Sequence, residues 1–532
     1  MQPRCRLRPP PCTRRTWYLV RRKFKPKGKL LFDASFTAHP AFSVGPVPPR
    51  LFGSFVEHMG RCVYTGIYEP GHPTADADGF RQDVLDLVRE LGVTVVRYPG
   101  GNFVSGYQWE DGVGPADQRP RRLDLAWHTT ETNQFGLNEF MRWAARAGVE
   151  PMMAVNLGTR GVREALDLLE YTNHPGGSAL SDRRIADGVP TPHNVRMWCL
   201  GNEMDGPWQT GHKTAAEYGR LAAETAKAMR QYDPTLELVA CGSSNMDMPT
   251  FGSWESEVLE EAWDAIDFVS LHAYYEPIDG DVDSFLASAV GMDRFIEAVI
   301  STADAVGARR HSPKRLGLSF DEWNVWYARQ FQAKGTGPEW GEAPRLIEDE
   351  YTVTDAVVVG SLLISLLRHA DRVTSASLAQ LVNVIAPIRS EPDGPAWRQT
   401  IFHPFAETAA RARGRVLRVT QAAPTLPTAR YGEAPVVDSV LTHDQESGSL
   451  VLFAINRSQS EPVALVGDVS AFGSLAVGTA LVLADDDPLA SNTAQQQDRV
   501  APVPLDKVEL VGGELHLELP PLSWVTVTLE RA

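Results

Sequence analysis

Two glutamates follow apolar segments of this 532-residue chain. Glu203 comes after the apolar run 196–200, and Glu322 comes after the run 316–320. Short apolar runs that end in turn residues are typical of strands buried on both faces. Taken singly, either glutamate could be a solvated loop residue. Together, two carboxylates at the ends of two buried strands indicate one site with paired carboxylates, which suits nucleophilic or acid–base chemistry.

Further polar side chains stand near the ends of other predicted strands or beside the two glutamates. They are Glu57, Asn102, Asn202, His272, Tyr274 and Gln380. Four of them have a simpler interpretation. Asn202 could be a turn residue and His272 a strand-end histidine with satisfied hydrogen bonds, whereas Asn102 and Gln380 could cap backbone groups. Their residue types alone leave these alternatives open.

Helical and strand patterns alternate from about residue 50 to residue 385. Helices are predicted at 80–91, 137–147, 215–232, 292–306 and 353–367. Strands are predicted at 51–56, 93–98, 151–156, 196–200, 236–241, 266–271, 316–320 and 374–378. Such alternation is typical of a parallel sheet with crossover helices. The number of units favours a closed (β/α)8 barrel over an open doubly wound sheet, and no Gly-x-Gly-x-x-Gly motif supports a dinucleotide fold.

The chain changes character near residue 400, where short Val-, Leu- and Thr-rich segments alternate with turn residues. This pattern predicts a jelly-roll-like β-sandwich. A strand near residues 29–36 should join that sandwich, because it precedes the barrel and no helix follows it. The predicted organisation is a basic Pro-rich extension at 1–28, an N-terminal strand region at 29–50, the barrel at 51–390 and the sandwich at 391–532.

Charge is unevenly distributed along the chain. Residues 1–29 carry eleven Lys or Arg, and all 67 acidic residues lie beyond them. We expect the Pro-rich extension to be disordered, with a basic docking arm as the alternative. It lacks the uninterrupted apolar core of a secretory signal. The net charge of −16 argues against a nucleic-acid surface as the main function.

Several other classes of protein find no support in the sequence. The sequence contains no run of about 18 apolar residues, so no membrane span is predicted. The five cysteines are scattered and show no metal-ligand spacing, so reduced thiols in a cytoplasm are expected. Without a metal cluster, phosphate loop or dinucleotide signature in the sequence, no cofactor is expected.

Five longer motifs occur in an order and spacing that resemble one family. They are RYPGGN at 97–102, WHTTETNQFG at 127–136, GNEMDG at 201–206, DEWN at 321–324 and QLVNVIAP at 380–387. They resemble the glycoside hydrolase family 51 α-L-arabinofuranosidases. The resemblance extends from about residue 29 to the C-terminus.

The resemblance implies a retaining hydrolase on a (β/α)8 barrel with a β-sandwich, assembled as a hexamer. It implies that Glu203 is the acid/base and Glu322 the nucleophile. It also implies that the arabinofuranose ring is held by Glu57, Asn102, Asn202, Tyr274 and Gln380. Arg97 and Trp127 would shape the pocket, although Trp127 could instead be a core residue, and His272 would lie beside the nucleophile.

Cleavage with retention requires two carboxyl groups about 5–5.5 Å apart, one attacking the anomeric carbon and the other protonating the leaving oxygen. The acid needs a raised pKa, and the nucleophile needs partners such as Arg97, His272 or Tyr274 that keep it ionised.

The sequence thus predicts a cytoplasmic, exo-acting α-L-arabinofuranosidase that releases terminal arabinose from arabinan or arabinoxylan oligosaccharides. One alternative is a related barrel glycosidase acting on β-xylosides or β-glucans, since only segments 127–136 and 380–387 favour arabinofuranose. A second alternative is a carbohydrate-binding protein without turnover. The presence of both glutamates argues against it.

Overall fold

Eight parallel strands close into a barrel in the computed structural model, which describes residues 32–335 and 340–532. Consecutive barrel strands are neighbours, and the eighth pairs with the first. Barrel strands 1 to 8 are Arg50–Phe55, Val95–Tyr98, Glu150–Ala154, Met197–Leu200, Glu237–Ala240, Phe268–Tyr275, Gly317–Val325 and Val373–Leu378. The prediction of a (β/α)8 barrel is confirmed. The predicted basic extension at 1–28 lies outside the described residues.

Helices connect the barrel strands and form the outer layer. The α-helices are Gln82–Leu91, Leu137–Ala147, Val162–Asn173, Ala179–Ala186, Ala215–Tyr232, Ser253–Ala262, Val282–Leu286, Ser288–Arg309, Ala328–Lys334, Val353–Arg368 and Phe402–Arg411. The first of them shows why these segments are helical. It buries Val84, Leu85, Val88 and Leu91 on one face, and Gly92, with a φ of 77°, ends it. No helix in the described part of the chain is long and apolar enough to cross a membrane.

Two larger sheets are formed mostly by the C-terminal part of the chain, and one N-terminal strand joins each of them. The five-stranded sheet has the order Thr420–Ala422, Phe32–Thr37, Val463–Asp468, Glu514–Leu519, Val508–Val511. The seven-stranded sheet has the order Ser43–Pro46, Arg415–Leu417, Val437–His443, Leu450–Asn456, Ser523–Arg531, Leu475–Leu483, Val503–Pro504. Apolar residues of both sheets share one core, with Phe36 and Leu465 from the first and Leu452 and Val527 from the second. The predicted β-sandwich is therefore present.

The remaining strands of the described residues form three short two-stranded sheets. They are Arg122–Asp124 with Thr129–Glu131, Ile388–Ser390 with Ala396–Arg398, and Thr425–Thr428 with Gly432–Pro435. The hairpin at 388–398 and the helix Phe402–Arg411 both precede the C-terminal strands that begin at Arg415.

Barrel strands 6 and 7 are longer than the sequence pattern predicts. Strand 7 continues to Val325, past Glu322, because its apolar residues remain buried between strands 6 and 8. Ser319 pairs with Ser270, but Glu322 pairs with His272, so strand 7 contains one extra residue at this point. This β-bulge lets Asp321 and Glu322, which are consecutive, both reach side chains inside the barrel.

The seven-stranded sheet packs on the barrel through the helix Val353–Arg368. Gly360 allows a very close approach to Trp524, since a Cβ at this position would lie 2.2 Å from the indole Cδ1. Arg457, next to the sandwich strand Leu450–Asn456, donates to Ser361 Oγ of this helix at 3.1 Å. The packing at this helix thus joins the barrel to the sandwich.

Candidate active site

Glu322 lies on barrel strand 7 and receives two hydrogen bonds. Arg97 Nη1 donates to its Oε1 at 2.7 Å, and the Tyr274 hydroxyl donates to its Oε2 at 2.8 Å. Burial raises the pKa of Glu322, and the nearby Glu203 raises it further. The charges of His272 and Arg97 and the tyrosine hydrogen bond oppose that rise. The ionised form of Glu322 thus depends on these partners.

Glu203 follows barrel strand 4 and has a φ of 43°, in the left-handed region that non-glycine residues rarely adopt. Two ring nitrogens hold its carboxyl group. Trp208 Nε1 donates to Oε2 at 2.7 Å, and His272 Nδ1 lies 2.9 Å from Oε1. Trp208 is 50% exposed, so the Oε2 side of this carboxyl group faces the solvent-accessible mouth of the site.

The two glutamates face each other across the C-terminal end of the barrel. Three atoms lie within 4.8 Å of one another: one carboxylate oxygen of Glu203, one carboxylate oxygen of Glu322 and one ring nitrogen of His272. Retaining glycosidases place their carboxyl groups about 5–5.5 Å apart, whereas inverting enzymes leave about 6.5–9.5 Å for a water molecule. The short gap therefore suits direct attack by one carboxylate and proton transfer by the other.

His272 is buried between three carboxylates. Its Nδ1 lies 2.9 Å from Glu203 Oε1 and 3.6 Å from Glu322 Oε2, and its Nε2 lies 3.1 Å from Asp321 Oδ1. Burial by itself would lower the pKa of His272, but the three carboxylates outweigh that effect and raise it to about 10. The ring is near Glu322, as expected, but its shorter contact is with Glu203.

Glu57 closes another side of the site, directly after barrel strand 1. Its Oε1 accepts hydrogen bonds from Trp127 Nε1 at 2.8 Å and from the backbone N–H of Phe103 at 2.9 Å. Gln380 Nε2 lies 3.2 Å from its Oε2. Burial raises the pKa of Glu57 to about 8, although both donors to Oε1 favour the ionised form. Glu57, Trp127 and Gln380 thus form one polar wall.

Asn202 links the glutamate pair to the remaining predicted residue. Its Oδ1 accepts from Arg97 Nη2 at 2.7 Å, and its Nδ2 donates to Asn102 Oδ1 at 3.3 Å. Asn102 begins the short 3₁₀ helix Asn102–Gly106. Just before it, a Cβ on Gly101 would lie only 3.0 Å from Glu322 Oε1. The glycine therefore lets this loop approach the carboxylate closely.

The structure brings together all ten residues singled out in the sequence. They are Glu57, Arg97, Asn102, Trp127, Asn202, Glu203, His272, Tyr274, Glu322 and Gln380. Two further residues escaped the sequence reasoning. Trp208 had a detectable signal, since it is a tryptophan in a Gly-Pro loop five positions after Glu203. Asp321 had no such signal. In a regular strand successive side chains point to opposite faces, so Asp321 would be expected to point away from the face on which Glu322 lies.

Glu203, His272 and Glu322 form the one set of potential metal ligands among the described residues. Protein hydrogen bonds already engage these side chains, with Trp208 on Glu203, Tyr274 on Glu322 and Glu203 on His272 Nδ1. Each of the three side chains thus already has a hydrogen-bond partner within the protein.

Comparison with known proteins assigns the chain to a family. The family described as "Alpha-L-arabinofuranosidase 1 domain" matches residues 87–287, and "Alpha-L-arabinofuranosidase C-terminal domain" matches residues 321–523. An "Intracellular exo-alpha-(1->5)-L-arabinofuranosidase" of Streptomyces lividans is 62% identical over 93% of this chain and 75% of its own length. An "Exo-alpha-(1->6)-L-arabinofuranosidase" of Bifidobacterium longum is 56% identical over 91% of this chain and 95% of its own length.

A solved structure of a family 51 alpha-L-arabinofuranosidase from Bifidobacterium longum has the same fold. It matches with a TM-score of 0.90 and 51% identity, covering 94% of this chain and 100% of that one. Because sequence and fold agree over nearly the whole described chain, this protein belongs to glycoside hydrolase family 51, the α-L-arabinofuranosidases.

Proposed function

We propose that this protein is a retaining, exo-acting α-L-arabinofuranosidase in which Glu322 is the nucleophile and Glu203 the acid/base. The observation that carries the proposal is the carboxylate pair, whose oxygens approach within 4.8 Å across the barrel mouth. The partners of the two groups support the assignment of roles. Glu322 lies beside the buried guanidinium of Arg97, which favours a negative charge, whereas Glu203 has Oε2 near the mouth, where a leaving group departs.

In the first step, a carboxylate oxygen of Glu322 attacks the anomeric carbon of the terminal arabinofuranose. The bond from that carbon to the glycosidic oxygen breaks as Glu203 gives its proton to the leaving oxygen. The products are an arabinosyl ester on Glu322, a shortened oligosaccharide and an ionised Glu203. Tyr274 and Arg97 hold the attacking carboxylate in place through their hydrogen bonds of 2.8 and 2.7 Å.

In the second step, Glu203 accepts a proton from water, and the water oxygen attacks the same carbon. The ester bond breaks, Glu322 regains its negative charge, and arabinose leaves with its original configuration. Two inversions at one carbon give net retention. The polar wall of Glu57, Trp127 and Gln380, together with Asn102 and Asn202, holds the hydroxyl groups of the ring during both steps.

The substrate class follows from the relatives. Their names include both exo-(1→5) and exo-(1→6) activities, so we propose that arabinose-containing oligosaccharides derived from arabinan or arabinoxylan are substrates. Product analysis on a debranched arabinan oligomer and an arabinose-substituted xylan oligomer would rank these two kinds of substrate.

We also propose a cytoplasmic location, since relatives are named intracellular, and a homo-hexamer, on family resemblance. Cell fractionation and a light-scattering mass test these two points.

The roles of the two glutamates are tested by Glu322→Ala and Glu203→Ala. The first variant should lose turnover on every arabinofuranoside, because no glycosyl-enzyme can form. The second should lose about 10²–10⁴-fold on substrates with poor leaving groups. On an activated aryl arabinoside it should accumulate the intermediate. Azide should then restore turnover and give the retained α-azide, whereas azide rescue of Glu322→Ala should give the inverted β-azide.

The same experiment separates the alternatives. Swapped stereochemistry of the azide products would mean that the two roles are reversed. Near-normal activity of both variants would locate the chemistry elsewhere. A panel of nitrophenyl glycosides distinguishes an arabinofuranosidase from a β-xylosidase or β-glucanase, and the absence of turnover on every glycoside would indicate a binding protein.

A further inference from the structure

Asp321 is a buried carboxylate beneath the active site, and only 1% of its surface is exposed. Its Oδ1 lies 3.1 Å from His272 Nε2, and its Oδ2 lies 3.7 Å from Arg97 Nε and 3.6 Å from Cys199 Sγ. It does not belong to the polar wall or to the two glutamates that face the sugar. Its strongest contact is with the ring nitrogen that points away from the substrate.

We propose that Asp321 is a positioning residue that keeps His272 protonated on both ring nitrogens, so that Nδ1–H always donates toward Glu203. This inference rests on the proposed function, in which Glu203 is the acid/base. Once Glu203 has given up its proton, an imidazole that donates from Nε2 alone would present a lone pair to an ionised Glu203 oxygen only 2.9 Å away. A second, buried carboxylate on Nε2 favours the doubly protonated ring instead.

The balance of charge around the ring agrees with this assignment. The titratable groups facing His272 are Glu203 after barrel strand 4, which is ionised between the two steps, and Asp321 and Glu322 on strand 7. The cation of Arg97 on strand 2 opposes them, but it contacts both strand-7 carboxylates. The neighbouring thiols of Cys199 and Cys241 stay neutral, since burial raises the pKa of each well above its ordinary value. Negative charge therefore predominates around the ring.

A permanent cation at this point has a use in the reaction. During the first step the negative charge of the carboxylate pair moves from Glu322 to Glu203, and during the second step it returns. His272 Nδ1 lies 3.6 Å from Glu322 and 2.9 Å from Glu203, so it contacts both positions of the charge. An imidazolium stabilises the pair throughout, because it does not have to be created during either step.

The protonation state of His272 is directly measurable. In full-length protein labelled with ¹⁵N-histidine, the ring signal that disappears in His272→Gln is that of His272. In the wild type both ring nitrogens should remain protonated at pH 7, and the ring should titrate well above an ordinary histidine. Asp321→Asn removes one carboxylate and still accepts a hydrogen bond, so the ring should lose its Nδ1 proton at least one pH unit lower.

Catalysis should follow the same change. The alkaline limb of kcat/KM should move to lower pH in Asp321→Asn, and the value at pH 7 should fall about ten- to a hundredfold, the effect of losing one hydrogen bond to a charged group. Cys199→Ser is the matched control. It alters another contact of Asp321 without changing any charge, so the titration of His272 should stay in place.

Two results would overturn the proposal. One is an ordinary titration of His272 in the wild type, a measurement that uses a variant only to assign the ring signal. The other is an unchanged His272 titration in Asp321→Asn, whatever happens to activity, since Asp321 would then serve only Arg97. Because the ring is observed without turnover, either failure is distinguishable from a failure of the glutamate roles.

Discussion

Arg97 and Glu322 are 225 residues apart in sequence and are joined by a hydrogen bond of 2.7 Å inside the barrel. Arg97 is on strand 2 and Glu322 on strand 7, and each is at most 5% exposed. A guanidinium at this distance in a buried site favours the ionised carboxylate strongly. The reactivity of Glu322 should therefore depend on a charge supplied from the other side of the barrel.

Replacing Arg97 by Gln should shift the acid limb of kcat/KM to higher pH. Removal of the cation raises the pKa of Glu322, so on acidification the Glu322 carboxylate gains its proton earlier and activity disappears at a higher pH. Arg97→Lys, which keeps a charge but cannot reach Glu322 and Asn202 together, should shift the limb less while lowering kcat. An acid limb that stays in place in Arg97→Gln would exclude this electrostatic role.

Trp208→Phe should slow the first step of the reaction, in which Glu203 gives up its proton. Phenylalanine retains an aromatic surface but loses the Nε1–H that donates to Glu203 Oε2, so the negative charge that develops on Glu203 is stabilised less. Since Trp208 is 50% exposed and water can replace the donor, we expect only about a three- to tenfold decrease. Pre-steady-state kinetics with an aryl arabinoside should show a smaller burst relative to turnover.

Trp340→Phe provides the control for this variant. Trp340 is also partly exposed, but it stacks on His128 with ring centroids 3.8 Å apart. Its replacement should leave the ratio of burst to turnover unchanged. If both substitutions change this ratio equally, the effect of Trp208→Phe comes from a general change in the loops around the site and not from the lost hydrogen bond to Glu203.

Glu57→Gln should stabilise the protein increasingly as the pH rises. Burial raises the pKa of Glu57 from 4.5 to about 8, so between these values the folded protein retains a proton that the unfolded chain has lost. The free energy of unfolding therefore decreases across this range, and the neutral amide removes that decrease. The gain in Tm over the wild type should be larger at pH 8 than at pH 5, while activity falls.

The new amide should fit the existing wall. Among the described residues, none donates to Gln380 Oε1. If the Gln380 side-chain amide rotates by half a turn, its Oε1 can accept a hydrogen bond from the side-chain amide introduced at position 57. A difference in Tm that is constant from pH 5 to pH 8 would mean that Glu57 is ionised throughout, held by Trp127 and Phe103.

Gly360→Ala should weaken the packing of the barrel on the sandwich. The new Cβ would lie 2.2 Å from Trp524 Cδ1, so the helix and the sheet must separate, at a cost of about 1–3 kcal/mol in the free energy of unfolding. Thermal unfolding measures this loss. Combining the substitution with Trp524→Leu should recover part of it, provided that the clash with the indole is the cause.

Gly71→Ala is the matched control for the loss of backbone freedom. No described heavy atom lies within 4 Å of a Cβ at Gly71, and its φ is outside the left-handed region. Its Tm should change little. If Gly360→Ala is equally harmless, the helix Val353–Arg368 is not held against Trp524 of the seven-stranded sheet closely enough to exclude a methyl group.

Much of this architecture was readable in the sequence because it depends on local patterns. Alternating apolar runs and helical faces predicted the (β/α)8 barrel, and the helix Ala215–Tyr232 has the bounds that its sequence indicates. The Gly-Asn-Glu turn likewise put Glu203 just past a buried strand. Strand ends were less accurate, since strand 7 runs through Glu322 where the pattern predicts an end at residue 320. Polar residues inside a barrel can belong to a strand because their partners lie on neighbouring strands, and a local sequence pattern does not reveal those partners.

The sequence by itself determined the barrel, the sandwich and the residue types of the site, because apolar periodicity and turn residues act over a few positions of the chain. Only the tertiary structure decided the bulge in strand 7 that turns both Asp321 and Glu322 inward. It also decided that His272 contacts Glu203 more closely than Glu322. Both depend on the register between neighbouring strands and on loop conformation, which are set by packing among residues far apart in the chain.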